Sequence, residues 1–283
     1  MRTQFCGILR GDAKVLKNIT IGQYFPGSSA VHRIDPRMKI LLTILLLVDV
    51  FLSKGFLGFA LIFGFVYAVA RSTKIGLKFI VRGLKPILFI VIFTFILNLF
   101  MQSGGDVVFQ WKFMRITSGG VHTAIYMAIR LMLLVVASQL LTLTTSSLSL
   151  TDGMEALMKP LTKVRFPAHE IAMMMSIALR FIPTLMEETD KIMNAQKARG
   201  ADFESGNIIK RAKAMVPLLV PLFVSAFRRA DELALAMEAR CYRGGAGRTR
   251  MNILKLARLD GWAAVCVLLL TCAIVLLNAF GLP

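Results

Sequence analysis

The chain is poor in cysteine and histidine, and each shortage argues against a class of function. Its four cysteines form no CxxC pair, and two of them stand in one apolar run; they are Cys6, Cys241, Cys266 and Cys272. Neither a disulfide framework nor a metal site is therefore indicated. The three histidines are scattered, and the pair His169-Glu170 lacks the second histidine of an HExxH zinc motif. We expect no metal and no catalytic histidine cluster.

Phosphate-binding and targeting motifs are also missing. No GxxxxGK[ST] loop occurs, so the chain is not expected to hydrolyse ATP itself or to hold a cofactor. The stretch "GGAGRTR" at 244–250 is rich in glycine and basic, but no predicted strand precedes it, and we interpret it as a flexible connection. The first 35 residues contain no apolar core of the kind that a signal peptide needs, which predicts a cytoplasmic N-terminus.

What the chain has in abundance is apolar sequence. Of its 283 residues, 56% are hydrophobic, and the mean hydropathy is +0.68. A soluble domain of this length would not need so apolar a composition, so the sequence predicts an all-α, polytopic membrane protein. Five segments are apolar enough for membrane-spanning helices, namely 40–53, 55–70, 86–101, 121–142 and 261–280.

The first two apolar segments are short and lie next to each other. They are separated only by Ser53-Lys54-Gly55. One long tilted helix would place Asp49 and Lys54 inside the bilayer, where charged groups are costly. The sequence therefore favours a tight hairpin of two helices, with the single long helix as the alternative.

The distribution of charge orients these segments. Lys and Arg number 34 against 16 Asp and Glu, which gives a net charge of +18. Seven of the basic residues lie in 1–39, five in 71–85 and eighteen in 143–258. With five spans these three regions share one side of the membrane, and the positive-inside bias assigns that side to the cytoplasm. The C-terminus is then extracellular. Because the basic residues flank lipid or alternate with acids, nucleic-acid binding is not expected.

Arg130 is a basic residue inside a predicted span. It is either a substrate or proton site, the usual hypothesis for an intramembrane charge, or a side chain that reaches an interface or pairs with a buried acid such as Asp49. No second acid or histidine clusters near it in sequence, which favours the structural interpretation. The segment 103–120, between paired glycines, is compatible with a small hairpin.

The block 143–258 predicts two long amphipathic helices. The first carries an apolar face at helical spacing, made of Ile171, Met174, Met175, Ala178, Ile182, Leu185, Met186, Met193 and Gln196. The second carries another, made of Ile209, Ala212, Val216, Leu219, Phe223, Ala226, Ala230, Leu233 and Met237. Prolines at 183, 217 and 221 are expected to bend these helices.

Both helices end in an arginine between small residues. The first ends in Ala198-Arg199-Gly200, and the second ends in Ala239-Arg240-Cys241. A cation followed by glycine is an ordinary way to end a helix, and for either motif alone that interpretation comes first. Small neighbours, however, let another backbone approach, and a guanidinium binds carboxylates with two parallel hydrogen bonds. The appearance of the motif at two matching helix ends favours docking points.

Three segments resemble the transmembrane T component of energy-coupling factor (ECF) transporters, which are ABC-type importers of vitamins and trace metals. They are "GQYFPGSSAVHRIDPRMKI" (22–40), "LRFIPTLMEETDKIMNAQKARG" (179–200) and "AMEARCYRG" (236–244), and the resemblance runs from about residue 18 to the C-terminus. It implies a multi-pass protein of the bacterial plasma membrane with two cytoplasmic ABC ATPase subunits and a substrate-capturing membrane S component as partners. The two Ala-Arg-Gly triplets of the family carry over to residues 198–200 and 239–241, where Cys241 replaces the second glycine. A backbone angle available only to glycine would be lost there.

The predicted organisation is an N-terminal segment with four spans at 1–142, a coupling-helix region at 143–258, and a last span at 259–283. Two other functions stay open. An integral membrane enzyme acting on lipid head groups would need an acid or histidine cluster at a cytoplasmic span end. A stand-alone secondary transporter would need polar groups at the midplane, for which only Asp49 and Arg130 are available.

Overall fold

The computed structural model describes residues 24–101, 107–111, 114–164, 166–203, 207–244 and 255–280, almost all of which are helical. Nine α-helices occur in these ranges: α1 Ala30–Arg33, α2 Pro36–Leu52, α3 Phe56–Ser72, α4 Leu77–Met101, α5 Ser118–Thr144, α6 Ser147–Met158, α7 Ala168–Ala198, α8 Ile208–Ala239 and α9 Arg258–Ala279. A 3₁₀ turn covers Lys159–Val164. Two short strands, β1 Val107–Trp111 and β2 Met114–Thr117, pair antiparallel as the small hairpin that the sequence allows.

The chain forms two compact units. The first contains α1 to α5, the hairpin and α9, with the first turns of α6 up to Gly153. The second runs over Met154–Ile253 and contains α7 and α8. The predicted boundaries at 142 and 258, with a cytoplasmic coupling-helix region between them, stay a prediction.

The all-α, polytopic membrane architecture is confirmed. Three helices in the described ranges are long and apolar enough to cross a membrane, covering Phe79–Met101, Ser118–Thr144 and Arg258–Ala279, and Phe56–Ser72 is a shorter apolar helix. Large apolar side chains cover the outer surface of these helices: Phe63 is 61% exposed, Phe89 75% and Leu269 65%. Such a surface suits hydrocarbon rather than water.

The first two predicted spans are separate helices, as the sequence favours. Helix α2 begins at a proline directly after Asp35, whose carboxylate accepts a hydrogen bond of 2.9 Å from the Arg37 backbone N–H. Proline at the first helical position and a carboxylate cap define a helix start. The chain then breaks at residues 53–55 and resumes as α3, so the single long tilted helix is wrong.

The first unit has one apolar core. Its members come from α2, α3, α4, α5, α9 and the turn before α4, and they include Val50, Ile62 and Ile274, none of which is exposed. Helix α4 starts nine residues before the predicted span at 86. The apolar segment begins only after Lys78, Arg82 and Lys85, but these basic residues also belong to the helix.

In the second unit, α7 and α8 run through their prolines without interruption. The predicted apolar faces are only partly correct. In α8, Ala226, Leu233 and Met237 are partly buried, whereas Ile209, Val216, Leu219, Phe223 and Ala230 are exposed. In α7, the residues from Ile182 to Gln196 on the predicted face are partly buried, whereas Met174, Met175 and Ala178 are exposed.

Candidate functional site

The end of α7 is closed by a complete Schellman motif. Gly200 has φ +88°, and its N–H donates to the Lys197 carbonyl at 3.0 Å. The N–H of Ala201 donates to the Gln196 carbonyl, also at 3.0 Å. These are the two hydrogen bonds that define the motif, and its left-handed residue is most often glycine. Arg199 is thereby fixed as the residue that caps the helix.

The end of α8 repeats this geometry with a cysteine in place of the glycine. Cys241 has φ +55°, and its N–H donates to the Glu238 carbonyl at 2.8 Å. The Tyr242 N–H donates to the Met237 carbonyl at 3.0 Å. This end of the helix does not require a backbone angle available only to glycine, because φ +55° lies in the left-handed region that other residues also enter, at a cost of about 1–2 kcal/mol.

Both motifs present their side chains to the outside of the chain. Residues 198–200 and 239–241 are all exposed. A Cβ atom added at Gly200 would meet no heavy atom within 4 Å. Within the described part of the chain, neither Arg199 nor Arg240 makes a side-chain hydrogen bond or ion pair, so both guanidinium groups keep their donors for another molecule. The structure therefore confirms that both motifs end a helix, and it shows that their residues are exposed on the surface of the chain.

A polar contact that the sequence analysis did not identify joins α7 to α8. The Glu188 carboxylate accepts a hydrogen bond of 2.5 Å from the Ser225 hydroxyl and one of 2.8 Å from the Arg229 guanidinium. The hydrogen bond from Ser225 is the largest cause that holds the pKa of Glu188 below its ordinary value; partial burial acts in the opposite direction, and the hydrogen bond and positive charge of Arg229 lower the pKa further. The signal in the sequence is the pair Glu187-Glu188, which stands 41 residues before Arg228-Arg229.

The segment around "DPR" has a structural role that the sequence did not reveal. Asp260, only 2% exposed, accepts hydrogen bonds from the Asp35 N–H at 2.9 Å and the Ala257 N–H at 2.7 Å. It thereby caps its own helix and holds the start of α2. Lys39 is also buried, and its ammonium group donates to the Thr144 carbonyl at 3.0 Å, where α5 ends.

The two intramembrane charges do not pair with each other. Arg130 donates to the Ser53 carbonyl at 3.2 Å, at the end of α2, and lies over the Phe59 ring. Asp49 has no exposed surface and accepts a hydrogen bond of 2.9 Å from Thr271 on α9. The proposed pairing of Arg130 with Asp49 is therefore wrong, since the carbonyl end of a helix attracts the cation instead.

Metal-ligating side chains do not converge in the described residues. No cluster of three or more His, Cys, Asp or Glu suitable for a metal occurs among them. His32 bonds to Ser29 and to the Phe25 carbonyl, and His169 to Glu155, so these two histidines have local partners.

Comparison with known proteins assigns the chain to a family. The family model described as "Cobalt transport protein" (CbiQ) matches residues 27–252. An "Energy-coupling factor transporter transmembrane protein EcfT" of Clostridium kluyveri is 54% identical over 263 residues, which cover 93% of this chain and 97% of the relative. The proteins of the same name from Bacillus subtilis and Lactococcus lactis are 48% and 43% identical, over 94% and 92% of this chain and 100% and 98% of their own lengths. The chain therefore belongs to the CbiQ/EcfT family of transmembrane components of energy-coupling factor transporters.

Proposed function

We propose that this chain couples ATP hydrolysis by two cytoplasmic ABC ATPase subunits to substrate uptake through a membrane S component, and that Arg199 and Arg240 are its docking points for the ATPases. The observation that carries the proposal is the pair of equivalent helix ends. Each places an exposed arginine at the cap of a Schellman motif. Two equivalent ends suit two partners of similar structure.

The charge of these ends sets the chemistry of their partners. A guanidinium without an intramolecular partner binds a carboxylate or a group of helix-end carbonyls. The left-handed residue that follows turns the chain away from the helix axis, and both arginines are exposed. The partners therefore present acidic groups or carbonyl ends in a concave surface.

In this proposal the chain contributes no catalytic residue and binds no cofactor of its own. ATP is held by the ATPase subunits, and the S component selects the vitamin or other micronutrient. The basic regions 1–39 and 143–258 lie in the cytoplasm together with the N-terminus, and the C-terminus lies outside. Cross-helix contacts support the alternation of direction: the start of α2 meets the end of α5 through Lys39 and Thr144, and the start of α9 through Asp35 and Asp260.

The test is charge reversal at both helix ends. Wild type, Arg199→Glu, Arg240→Glu and the double variant are expressed with both ATPases, and co-purified ATPase and substrate uptake are measured. Losing a buried charge contact costs about 2–5 kcal/mol of binding, on the order of 30-fold or more per site. We expect the double variant to lose both ATPases while it stays folded in the membrane.

Single variants are expected to keep part of the complex, because two attachment points mask the loss of one. Arg228→Glu supplies a matched control, since Arg228 is an exposed arginine on α8 away from the cap. A double variant that retains both ATPases and transports normally would show that these arginines only cap their helices, an effect of about 0.3–1 kcal/mol.

A further inference from the structure

We propose that the contact of Glu188 with Ser225 and Arg229 is a positioning clamp that fixes the separation of the two arginine caps. The proposal rests on the docking role above for its functional part only. Its structural part concerns distances inside this chain, and these are measurable without any partner.

The sequence spacing of the clamp matches the spacing of the caps. Glu188 precedes Arg199 by eleven residues, and Arg229 precedes Arg240 by eleven residues. Glu188 and Arg229 are 41 residues apart, as are Arg199 and Arg240. At about 1.5 Å per helical residue, each cap lies about 16 Å along its helix from the clamp.

The length of the connection between α7 and α8 places the two caps on opposite sides of the clamp. The ten residues from Ala198 to Ile208 span at most about 33–36 Å. The clamp lies about 15 Å before the end of α7 and about 32 Å after the start of α8. If α8 continued in the direction of α7, the connection would have to cover about 47 Å. Helix α8 therefore runs back past α7, and its C-terminal cap points away from that of α7.

The clamp is the polar anchor in an otherwise adaptable contact. The partly buried residues of α8 that flank it include Leu222, Ala226, Leu233 and Met237. Apolar contacts of this kind tolerate sliding and repacking. A carboxylate that accepts from a hydroxyl and a guanidinium at once requires one register, because a shift by one helical turn removes both donors. The Glu188 and Arg229 side chains are 24% and 35% exposed, so this pair specifies geometry more than it adds stability.

The neighbouring residues repeat the charge pattern without forming the contact. Glu187 and Arg228 are also 41 residues apart, and both are exposed with no hydrogen bond or ion pair to described residues. A charge change at 187 or 228 therefore alters the same charges on the same two helices without touching the clamp. This gives the experiment its control.

The experiment measures the distance between the caps in the purified full-length chain. Nitroxide labels are placed by Ala198→Cys and Ala239→Cys in a chain without native cysteines, where Cys241 becomes glycine and Cys6, Cys266 and Cys272 become serine. Pulsed electron spin resonance is expected to give one narrow distribution with a mean of about 20–30 Å, from two arms of ten residues each. Glu188→Arg and Arg229→Glu are each expected to broaden or shift it.

The exchanged pair Glu188→Arg/Arg229→Glu restores the attraction and should recover most of the narrow distribution. Glu187→Arg and Arg228→Glu, alone or together, should leave it unchanged. Broadening by the control variants equal to that of the clamp variants, an unchanged distance in the single clamp variants, or no recovery in the exchanged pair would each overturn the clamp.

The functional arm uses the complex with its ATPases. The single clamp variants keep both caps, so they are expected to retain the ATPases but to lose about fivefold or more of substrate uptake, with recovery in the exchanged pair. Uptake equal to wild type in the single variants would overturn the role of the clamp in coupling. Wild-type protein that does not bind the ATPases at all would disprove the docking role and leave the distance measurement as the test of the clamp.

Discussion

The two units of this chain use polar residues in opposite ways. The first unit, which contains the membrane-spanning helices and is called the membrane unit below, buries them. Asp35, Lys39, Asp49 and Asp260 are at most 6% exposed, and each has a hydrogen-bond partner on another element or at a helix end. The second unit displays them, with two arginine caps facing outwards and a partly exposed clamp between its helices. Buried polar contacts fix one arrangement, whereas exposed ones are available to partners. The predictions below test this division, from the largest expected effect to the smallest.

The largest effect is expected where a buried carboxylate joins two helix starts. Asp260→Ala removes the acceptor of two N–H groups and leaves the buried donor of Asp35 and the part-buried donor of Ala257 unpaired. The expected loss is about 2–5 kcal/mol of unfolding free energy. Thermal unfolding in detergent measures it, with Asp190→Ala as the control because Asp190 is exposed. An Asp260→Ala variant as stable as the control would show that this junction does not hold the membrane unit together.

The second-largest loss of stability is expected at Gly153, which lies close to the start of α2 in the same unit. A Cβ atom on Gly153 would lie 3.0 Å from the Pro36 Cβ and 3.3 Å from the Arg37 nitrogen. Gly153→Val is therefore expected to cost about 1–3 kcal/mol by overpacking, with a lower melting temperature. Gly64→Ala is the control on α3: nothing lies within 4 Å of its added Cβ, and alanine favours a helix over glycine. Destabilisation of equal size at both positions would contradict this close approach.

Substitutions at the two left-handed cap positions of the second unit are expected to change the stability by smaller amounts and in opposite directions. Cys241→Gly relieves a left-handed cysteine and is expected to stabilise the chain by about 1 kcal/mol, whereas Gly200→Ala places a Cβ at φ +88° and is expected to cost a similar amount. Unfolding of the two variants measures the difference. Because cap geometry is kept in Cys241→Gly, ATPase binding should stay normal, and Cys241→Phe should lower it by blocking approach. If both variants at 241 behaved alike, that position would not face a partner.

The smallest effect concerns pH. Because the pKa of Glu188 is lowered in the folded chain, ionised Glu188 contributes stability above its unfolded pKa, and that contribution is lost as pH falls through the folded pKa. The narrow distribution of cap distances should therefore persist as pH falls through 4.5, the ordinary value for glutamate, and broaden only below it. Ser225→Ala removes the largest cause of the shift and should move the broadening to higher pH. Broadening at the same pH in both would contradict the role of the Ser225 hydrogen bond.

The last span and the two helix ends could be predicted from the sequence, because each is marked by residues that lie close together in the chain. The last span was predicted at 261–280 and is found at Arg258–Ala279, and both arginine motifs do end helices. The apolar face of α8 failed in its first half for a physical reason. From Ala214 to Val224 every residue is apolar or proline, so helical periodicity has no polar side against which to select a face.

The contacts that organise each unit could not be predicted, since they join residues far apart in sequence. Nothing near Asp260 indicates Asp35, and nothing near Arg130 indicates the Ser53 carbonyl. The clamp was closer to detection, because its acidic and basic pairs share the 41-residue offset of the caps. Only the structure shows that Glu188 and Arg229 meet while Glu187 and Arg228 do not.

The links between α2 and α9 also determine the order in which the membrane unit is completed during synthesis. Asp49 meets Thr271, and the Leu52 carbonyl accepts a hydrogen bond of 2.9 Å from Asn278. At about 5–20 residues per second, the ribosome adds Thr271 roughly 11–44 s after Asp49. During that interval α2 carries a carboxylate and a terminal carbonyl without their final partners. These contacts of α2 are therefore completed only after the last helix has been synthesised.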